Sequence, residues 1–130
     1  MILLDTHAWI WHLADSGSLS PDARRSIREQ TRDDSIFVSA VSVWELFMLV
    51  KKGRLELNVA PASFLSVTRR DPLLSFVSVD ERIARRSVEL PDIHADPADR
   101  MIIATAIELG VSVVTCDSRF REYGLCSVVW

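Results

Sequence analysis

The sequence predicts an α/β fold with a mainly parallel sheet, because short apolar runs alternate with amphipathic segments along the chain. The chain has 130 residues, of which 48% are hydrophobic and 25% charged, as in an ordinary globular protein. No repeat, linker or low-complexity tract interrupts the alternation. We therefore predict a single α/β domain over residues 1–130, and we exclude a helical bundle and a β-sandwich.

Five apolar runs have the length of buried strands. Each of the first four precedes a segment with helical periodicity or a turn, which is the order expected of strand–helix–strand units. The last run is short and predicts a frayed edge strand. The predicted strands are Ile2–Leu4, Ser35–Ser39, Ser75–Val79, Val111–Thr115 and Ser127–Trp130.

Six amphipathic or apolar segments predict helices between these strands. Ser20 followed by Pro21 is typical of a helix N-terminus, and Gly110 is typical of the residue that follows a helix. Loops are expected at Asp15–Ser20 and Leu90–Ala95. The predicted helices are Thr6–Leu13, Pro21–Arg32, Ser42–Gly53, Pro61–Arg70, Asp80–Leu90 and Pro97–Leu109.

The charge balance excludes one class of nucleic-acid-binding protein. Fifteen Lys and Arg against eighteen Asp and Glu give a formal charge of −3, so the chain does not coat nucleic acid by bulk electrostatics. The longest stretch without charged side chains, Leu57–Thr68, is shorter than the roughly 18 apolar residues of a membrane span. The first residues lack the pattern of a secretory signal, so we expect a cytoplasmic location.

Acidic residues follow several of the predicted strands. Asp5 comes directly after the first strand, Asp117 lies two residues past the fourth, and Glu45 is expected in the first turn of the helix after the second. Because the carboxyl ends of parallel strands share one edge of a sheet, these three side chains should lie together. Asp96 and Asp99 begin the helix before the fourth strand, and topology alone does not place them at that edge.

A pocket that contained all these carboxylates would need a cation. Four or five carboxylates in one pocket repel one another unless a divalent ion holds them. Oxygen ligands without a paired His or Cys favour Mg²⁺ or Mn²⁺ over zinc. Asp5 is the hardest of the set to explain otherwise, since it closes a buried strand with no Lys or Arg nearby in sequence.

Helix capping is an alternative explanation for the other acids. Ser42 and Glu45 have the spacing of a capping box. Asp96 and Asp99 fit the first turn of a helix, where the helix dipole favours negative charge. Asp117 could cap a short turn that follows it. The conjunction of these acids in one chain favours a site over separate caps.

Four segments match a known family in order and spacing. They are Leu3-Leu4-Asp5-Thr6-His7, Ser39 to Leu46, His94 to Arg100 and Thr115-Cys116-Asp117. With these segments the chain resembles the PIN-domain ribonucleases, and most closely the VapC-like toxins of bacterial toxin–antitoxin pairs, over nearly its full length. The resemblance implies a three-layer α/β/α sandwich with a five-stranded, mainly parallel sheet.

The resemblance also implies an activity, a cofactor and partners. It implies a metal-dependent endoribonuclease that uses Mg²⁺ or Mn²⁺, is neutralised by a cognate antitoxin protein and forms a homodimer. The implied metal-binding and catalytic acids are Asp5, Glu45, Asp99 and Asp117, with Asp96, Thr115 and Thr6 in supporting positions.

Other residues near the acids have weaker predicted roles. Arg119 and Arg121 follow Asp117, and Arg100 adjoins Asp99, so we expect these three arginines to contact RNA. His7 and His94 lack a second His or Cys at ligand spacing, and we predict packing or loop roles for them rather than metal binding.

Apolar residues also predict a partner surface. The helix around Val41–Val50 is apolar on nearly all sides, which predicts that it is either buried or shared with another chain. Trp9, Trp11, Phe47 and Met48 are of the type that anchors a protein partner. The resemblance implies that an antitoxin segment occupies such a surface.

Three alternatives have the same fold class. A receiver domain needs a lysine near the end of its last strand, but the only lysines are Lys51 and Lys52. A haloacid-dehalogenase-like phosphatase needs a second Asp where His7 stands. A catalytically inert or regulatory Mg²⁺-binding module stays open as the alternative function.

Overall fold

The computed structural model describes residues 1–130 and contains one five-stranded sheet in which all neighbouring strands are parallel. The strand order β3-β2-β1-β4-β5 places the first strand at the centre. This confirms the predicted fold class and the five strands. The strands are β1 (Ile2–Leu4), β2 (Ile36–Ser39), β3 (Leu74–Val77), β4 (Ser112–Val114) and β5 (Val128–Val129).

Seven helices flank the sheet. The predicted bounds of Thr6–Leu13, Pro61–Arg70 and Pro97–Leu109 are confirmed. None of the helices is both long enough and apolar enough to cross a membrane. The helices are α1 (Thr6–Leu13), α2 (Pro21–Arg28), α3 (Ala40–Lys51), α4 (Pro61–Arg70), α5 (Glu81–Glu89), α6 (Pro97–Leu109) and α7 (Arg119–Glu122).

The core lies on both faces of β1. Ile2 and Leu4 point to one face and pack in a cluster with residues of α1 to α4, whereas Leu3 points to the other face and packs with α6 and α7. The alternation follows from the two-residue period of a strand. Because both faces are covered, the strand is apolar at every position and the architecture has three layers.

Two helices have boundaries that differ from the prediction by more than one residue, and α5 is one residue shorter at each end. The second helix ends at Arg28 and not at Arg32, because the chain turns at Asp34, which has a φ of 52° and donates its N–H to Pro72 O. The third helix begins at Ala40 and not at Ser42, because the hydroxyl of Ser39, the last residue of β2, accepts the Val41 N–H.

The early start of α3 corrects the predicted surroundings of Glu45. Ser42 is fully buried and its Oγ accepts a hydrogen bond of 3.0 Å from the Thr6 hydroxyl, so it caps nothing. Glu45 therefore lies in the second turn of α3, and the capping-box interpretation is wrong. The third strand also ends earlier than predicted, at Val77, because Asp80 caps α5.

Trp9 belongs to the core and does not anchor a partner. Its side chain is fully buried, and its Nε1–H donates to Thr68 Oγ1 at 2.9 Å. The Thr68 hydroxyl in turn donates to Phe64 O within α4. A buried indole N–H without this acceptor would lose its only partner in the chain.

Thr68→Val should therefore destabilise the protein, since the isosteric valine keeps the volume but removes the acceptor of the Trp9 N–H. We expect a loss of about 1–3 kcal/mol in the free energy of unfolding. Urea unfolding followed by tryptophan fluorescence measures it. Thr31→Val at an exposed position is the matched control, and equal unfolding free energies for the two variants would contradict the assignment.

Candidate active site

The candidate site lies at the carboxyl edge of the sheet, between β1 and β4. These strands are neighbours at the centre, where the chain connections change direction along the sheet. Asp5 follows β1, and its N–H donates to Val114 O at 3.1 Å. Asp117 follows β4 on the same edge. The parallel pairing of β1 and β4 thus places both acids at the edge predicted for them.

Asp5 is held rigidly and is nearly buried. It is 6% exposed and caps α1 by accepting the Ala8 N–H at 2.7 Å. Burial raises the pKa of this carboxyl, whereas the hydroxyl of Thr115 and the Ala8 N–H lower it in part. Thr115 therefore has the supporting position that was predicted for it.

The first turn of α6 brings two more acids to the edge. Asp96 caps the helix by accepting the Ala98 N–H at 2.8 Å. Burial, together with the charges of Asp96, Glu45, Asp5 and Asp117, raises the pKa of Asp99 to about 8. An acid that senses four other acids in this way lies among them. The loop before α6 thus folds back to the same edge, which topology alone left open.

Asp117 has the strongest compensating contacts. Burial alone would raise its pKa, but the guanidinium and N–H of Arg119 and the ring of His94 hold the pKa below its usual value. Arg119 donates Nε–H to Oδ1 at 3.1 Å and Nη2–H to Oδ2 at 2.9 Å. Oδ1 also accepts the Arg119 N–H at the start of α7. The predicted capping role and the predicted place at the sheet edge therefore coexist.

His94 is the site residue that sequence reasoning missed. Its side chain is buried, and Nε2 lies 2.9 Å from Asp99 Oδ2 and 3.1 Å from Asp117 Oδ2. One ligand-type atom from each of these three residues lies within 4.8 Å of the other two. The predicted loop position is right, but the ring occupies the floor of the acidic site.

The hydrogen bonds of His94 define its tautomer. The Asp96 N–H donates to Nδ1 at 3.2 Å, so Nδ1 carries the lone pair and the neutral ring carries its proton on Nε2. That N–H is then shared between the carboxylates of Asp99 and Asp117. The Tyr123 hydroxyl accepts the backbone N–H of His94, and Phe120 packs edge-on against the ring. The histidine is therefore a hydrogen-bond donor that holds two acids together.

Arg100, for which an RNA contact was predicted, directs its guanidinium donors to acceptors within the chain. All three guanidinium nitrogens donate to carbonyl oxygens of the last turn of α5 and of the loop that leads to α6, and one also lies 3.4 Å from the Tyr123 hydroxyl. The accepting carbonyls are those of Ser87, Val88, Leu90, Pro91 and His94, at 2.8–3.3 Å. Arg100 thereby fixes the loop that carries His94.

Of the remaining residues with a predicted role, some lie at the acidic site and others lie around it. Thr6 donates its hydroxyl to Ser42 rather than to a carboxylate, so it ties α1 to α3. Arg119 contacts Asp117, as described. Arg121 is exposed and forms no hydrogen bond or ion pair within the chain, which leaves its guanidinium free. His7 is exposed beside Asp5.

The chemistry of the donors fits a hard divalent cation. Asp99 lies within the influence of four other carboxylates, and the buried His94 uses its lone pair on a backbone N–H and its N–H on two acids. Oxygen-only donor sets of this kind suit Mg²⁺ or Mn²⁺. Repulsion among the carboxylates contributes to the raised pKa of Asp99. A bound cation would relieve this repulsion, so the same repulsion favours cation binding.

Comparison with known proteins identifies relatives over nearly the whole chain. A family model described as the PIN domain matches residues 2–125. The chain is 35% identical over 123 residues to a protein named Ribonuclease VapC22 from Mycobacterium tuberculosis, covering 94% of this chain and 91% of that protein.

Solved structures share the fold at lower identity. VapBC2 from Rickettsia felis, solved with a DNA fragment from its promoter, has a TM-score of 0.71 at 16% identity, covering 98% of this chain and 97% of that one. VapC20 from Mycobacterium tuberculosis, described as a sarcin-ricin loop cleaving toxin, has a TM-score of 0.70 at 15% identity, covering 98% of both chains. FitAcB from Neisseria gonorrhoeae has a TM-score of 0.68 at 20% identity, covering 98% and 96%.

The raised pKa of Asp99 predicts that the metal-free protein loses stability as the pH rises. A folded-state pKa of about 8 lies above the ordinary value of 3.8 for an aspartate, so this stabilisation is complete below the lower value and is lost as the pH rises through the higher one. Asp99→Asn removes the effect. The unfolding free energy of wild type relative to the variant should fall by up to about 1.4 kcal/mol per pH unit.

Urea unfolding in a chelating buffer from pH 5 to 9 measures that difference. Mg²⁺ added at pH 8 should raise the melting temperature of wild type and leave that of Asp99→Asn nearly unchanged, because ligand binding to the folded state stabilises it. A difference between the two proteins that stays constant with pH would show that the carboxylates are not crowded as described.

The contacts of Arg100 predict that Arg100→Lys is not a conservative change. A lysine cannot reach the same set of carbonyls, so we expect a loss of about 2–3 kcal/mol in the free energy of unfolding. Denaturant unfolding measures it, with Arg54→Lys at an exposed position as the control. Unchanged stability together with a weaker salt dependence of RNA binding would restore the RNA-binding interpretation.

Proposed function

The chain belongs to the PIN-domain family, and from that premise we propose that it is a Mg²⁺-dependent endoribonuclease and the toxin of a type II toxin–antitoxin pair. In this proposal the whole chain is one domain that hydrolyses RNA phosphodiester bonds in the cytoplasm. The observation that carries the proposal is the convergence of five carboxylates at the β1–β4 edge, with the pKa of Asp99 raised to about 8.

Asp5 and Asp99 are the proposed direct metal ligands, and Glu45 and Asp117 complete the shell or act through water. Mg²⁺ or Mn²⁺ bound there supplies positive charge that polarises the phosphodiester and acidifies the attacking water. Asp5 is well suited to this role, because its helix-cap hydrogen bond and Thr115 fix its orientation before any ligand arrives.

The other residues of the site orient the acids. His94 holds Asp99 and Asp117 at hydrogen-bond distance from one N–H, and Asp96 positions the His94 ring through its own backbone N–H. Arg119 neutralises part of the charge on Asp117. If the acid instead turns to a cation, the guanidinium of Arg119 becomes available to an RNA phosphate, which is the contact predicted for it.

Support for RNA as the substrate comes from the relatives. The 35% identical protein is named a ribonuclease, and the VapC20 structure is described as that of a toxin that cleaves the sarcin-ricin loop. The net charge of −3 does not argue against this substrate, because the five acids of the site outnumber the surplus of acidic residues in the chain.

Helix α3 is the proposed contact surface for a protein partner. Ser42 and Leu46 are buried, whereas Trp44 and Phe47 are 58% and 41% exposed beside Met48 in an apolar groove. Exposed aromatic side chains in such a groove are typical of an interface. Structurally similar chains come from complexes described as toxin–antitoxin or VapBC. A cognate antitoxin and a second copy of the chain are the two partners proposed for this surface.

The proposal predicts that Asp5→Asn and Asp99→Asn abolish metal-dependent RNA cleavage. Each change keeps the size of the side chain and removes a ligand charge, so we expect activity to fall by more than about 100-fold. Degradation of total RNA by the purified protein, with Mg²⁺ and with EDTA, measures the effect. Asp33→Asn, at an exposed turn before β2, is the matched control and should keep full activity.

Two outcomes would contradict the proposal in different ways. Undiminished cleavage by a folded Asp5→Asn or Asp99→Asn protein would remove those acids from the active site. A wild-type protein that binds Mg²⁺ but cleaves no RNA would favour the inert or regulatory module instead.

A further inference from the structure

Three aromatic side chains form a cluster beside the acidic site. The ring centroids of His7 and Trp11 are 5.5 Å apart at an interplanar angle of 50°, and those of Trp11 and Trp130 are 5.8 Å apart at 49°. His7 and Trp11 lie on α1, and Trp130 follows β5. We call His7, Trp11 and Trp130 the aromatic cluster.

The cluster differs from the buried tryptophan of the core. Trp9 is fully buried and its indole N–H is bonded to Thr68. In the cluster, His7 is exposed, the two indoles are half-buried, and neither indole N–H has a hydrogen-bond partner within the chain. The tilted arrangement means that the rings do not cover each other face to face, which leaves ring surface for a ligand.

The cluster is continuous with the site. His7 lies two residues after Asp5, and its charge influences the pKa of that acid. Trp130 follows Val129, whose carbonyl accepts the Thr115 N–H at 3.2 Å, so Trp130 leaves the sheet next to the residue that supports Asp5. A ligand that occupies the site can therefore extend onto the cluster.

Two clefts with arginines flank the cluster. A cleft of about 330 Å³ has Trp11, Arg24 and Arg28 in its wall, and one of about 500 Å³ has Trp130 and Arg121. Arg24 donates to backbone carbonyls of the neighbouring loop. Arg28 and Arg121 form no hydrogen bond or ion pair within the chain. Each cleft thus pairs an aromatic wall with a free guanidinium.

We propose that the aromatic cluster stacks the nucleobases next to the scissile phosphate of single-stranded RNA, while Arg28 and Arg121 bind the flanking phosphates. This inference rests on the proposed ribonuclease function. Aromatic faces combined with nearby guanidinium groups are the chemistry by which proteins hold unpaired bases and their backbone.

The electrostatics of the site favour this occupant. Five carboxylates repel the RNA backbone, so the affinity for RNA has to come from groups outside the acidic pocket. Stacking carries no charge and is not weakened by the nearby acids. Asp15 also lines the first cleft, and Asp22 and Glu29 line the second, so acids offset much of the arginine charge and base stacking, rather than net positive charge, supplies the contact.

The test compares RNA octamers that contain bases with octamers of equal charge that lack them. Fluorescein-labelled oligoadenylate and oligouridylate, and the same lengths with four central abasic sites, are titrated in Mg²⁺ by fluorescence anisotropy. An Asp99→Asn background prevents cleavage during the titration. We expect the base-containing strands to bind at least about ten-fold tighter than the abasic strands.

Substitutions test whether the aromatic cluster causes the preference for base-containing strands. Trp11→Ala and Trp130→Ala should each reduce it about ten-fold, whereas Trp11→Phe and Trp130→Phe, which keep a ring, should retain most of it. Arg121→Ala and Arg28→Ala should weaken all strands equally and lower the salt dependence, and Arg54→Ala should not. Circular dichroism and melting temperatures establish that each variant is folded.

The outcomes separate this inference from the function on which it rests. If wild type cleaves RNA but binds abasic and base-containing strands equally, the ribonuclease function stands and the stacking proposal is overturned. If both alanine variants bind RNA as wild type does, the stacking proposal is overturned, and loss of a copurifying protein from both would make the cluster a protein-docking surface. If wild type neither binds nor cleaves RNA, the ribonuclease function itself fails.

Discussion

The confinement of like charges at one edge of the sheet is the constraint on which this structure depends. Five carboxylates lie near the ends of β1 and β4, and four of them have a defined contact within the chain. Asp5 and Asp96 accept helix N-terminal N–H groups, Asp117 accepts an arginine, and His94 shares one N–H between Asp99 and Asp117. The remaining repulsion acts on Asp99 and contributes to the rise of its pKa. The same repulsion that contributes to the raised pKa of Asp99 would favour the binding of a divalent ion.

The fold and half of the site follow from the sequence for a simple reason. A parallel sheet places the residues after its strands on one edge, so the positions of Asp5 and Asp117 needed only the strand assignment. Asp99 could not be placed in this way, because the path of the loop before α6 depends on the many hydrogen bonds of Arg100 and not on a local pattern. His94 was missed because a lone histidine has no ligand spacing to detect. Its role comes from being buried against two acids that are five and 23 residues away in sequence.

Adjacency in sequence was misleading for Arg100. Neighbours on a helix point about 100° apart, so a residue next to Asp99 faces away from the site as easily as toward it. Arg100 turns to the loop carbonyls, and through that loop it supports His94. Trp9 and Trp11 show the same principle on α1, since one is buried against α4 and the other contributes to the aromatic cluster. The sequence shows which side chains are able to take part in binding or catalysis. Their position around the helix axis determines which surface they face.

The central position of β1 has a consequence for the timing of synthesis. The first strand leaves the ribosome early and can pair with β2, but its other neighbour is β4, which is synthesised after α6. Asp5 and Asp117 therefore come together only after most of the chain has been translated. Any activity that requires the complete set of acids begins only when β4 has docked beside β1. A nascent chain that is still attached to the ribosome before that point has no assembled site.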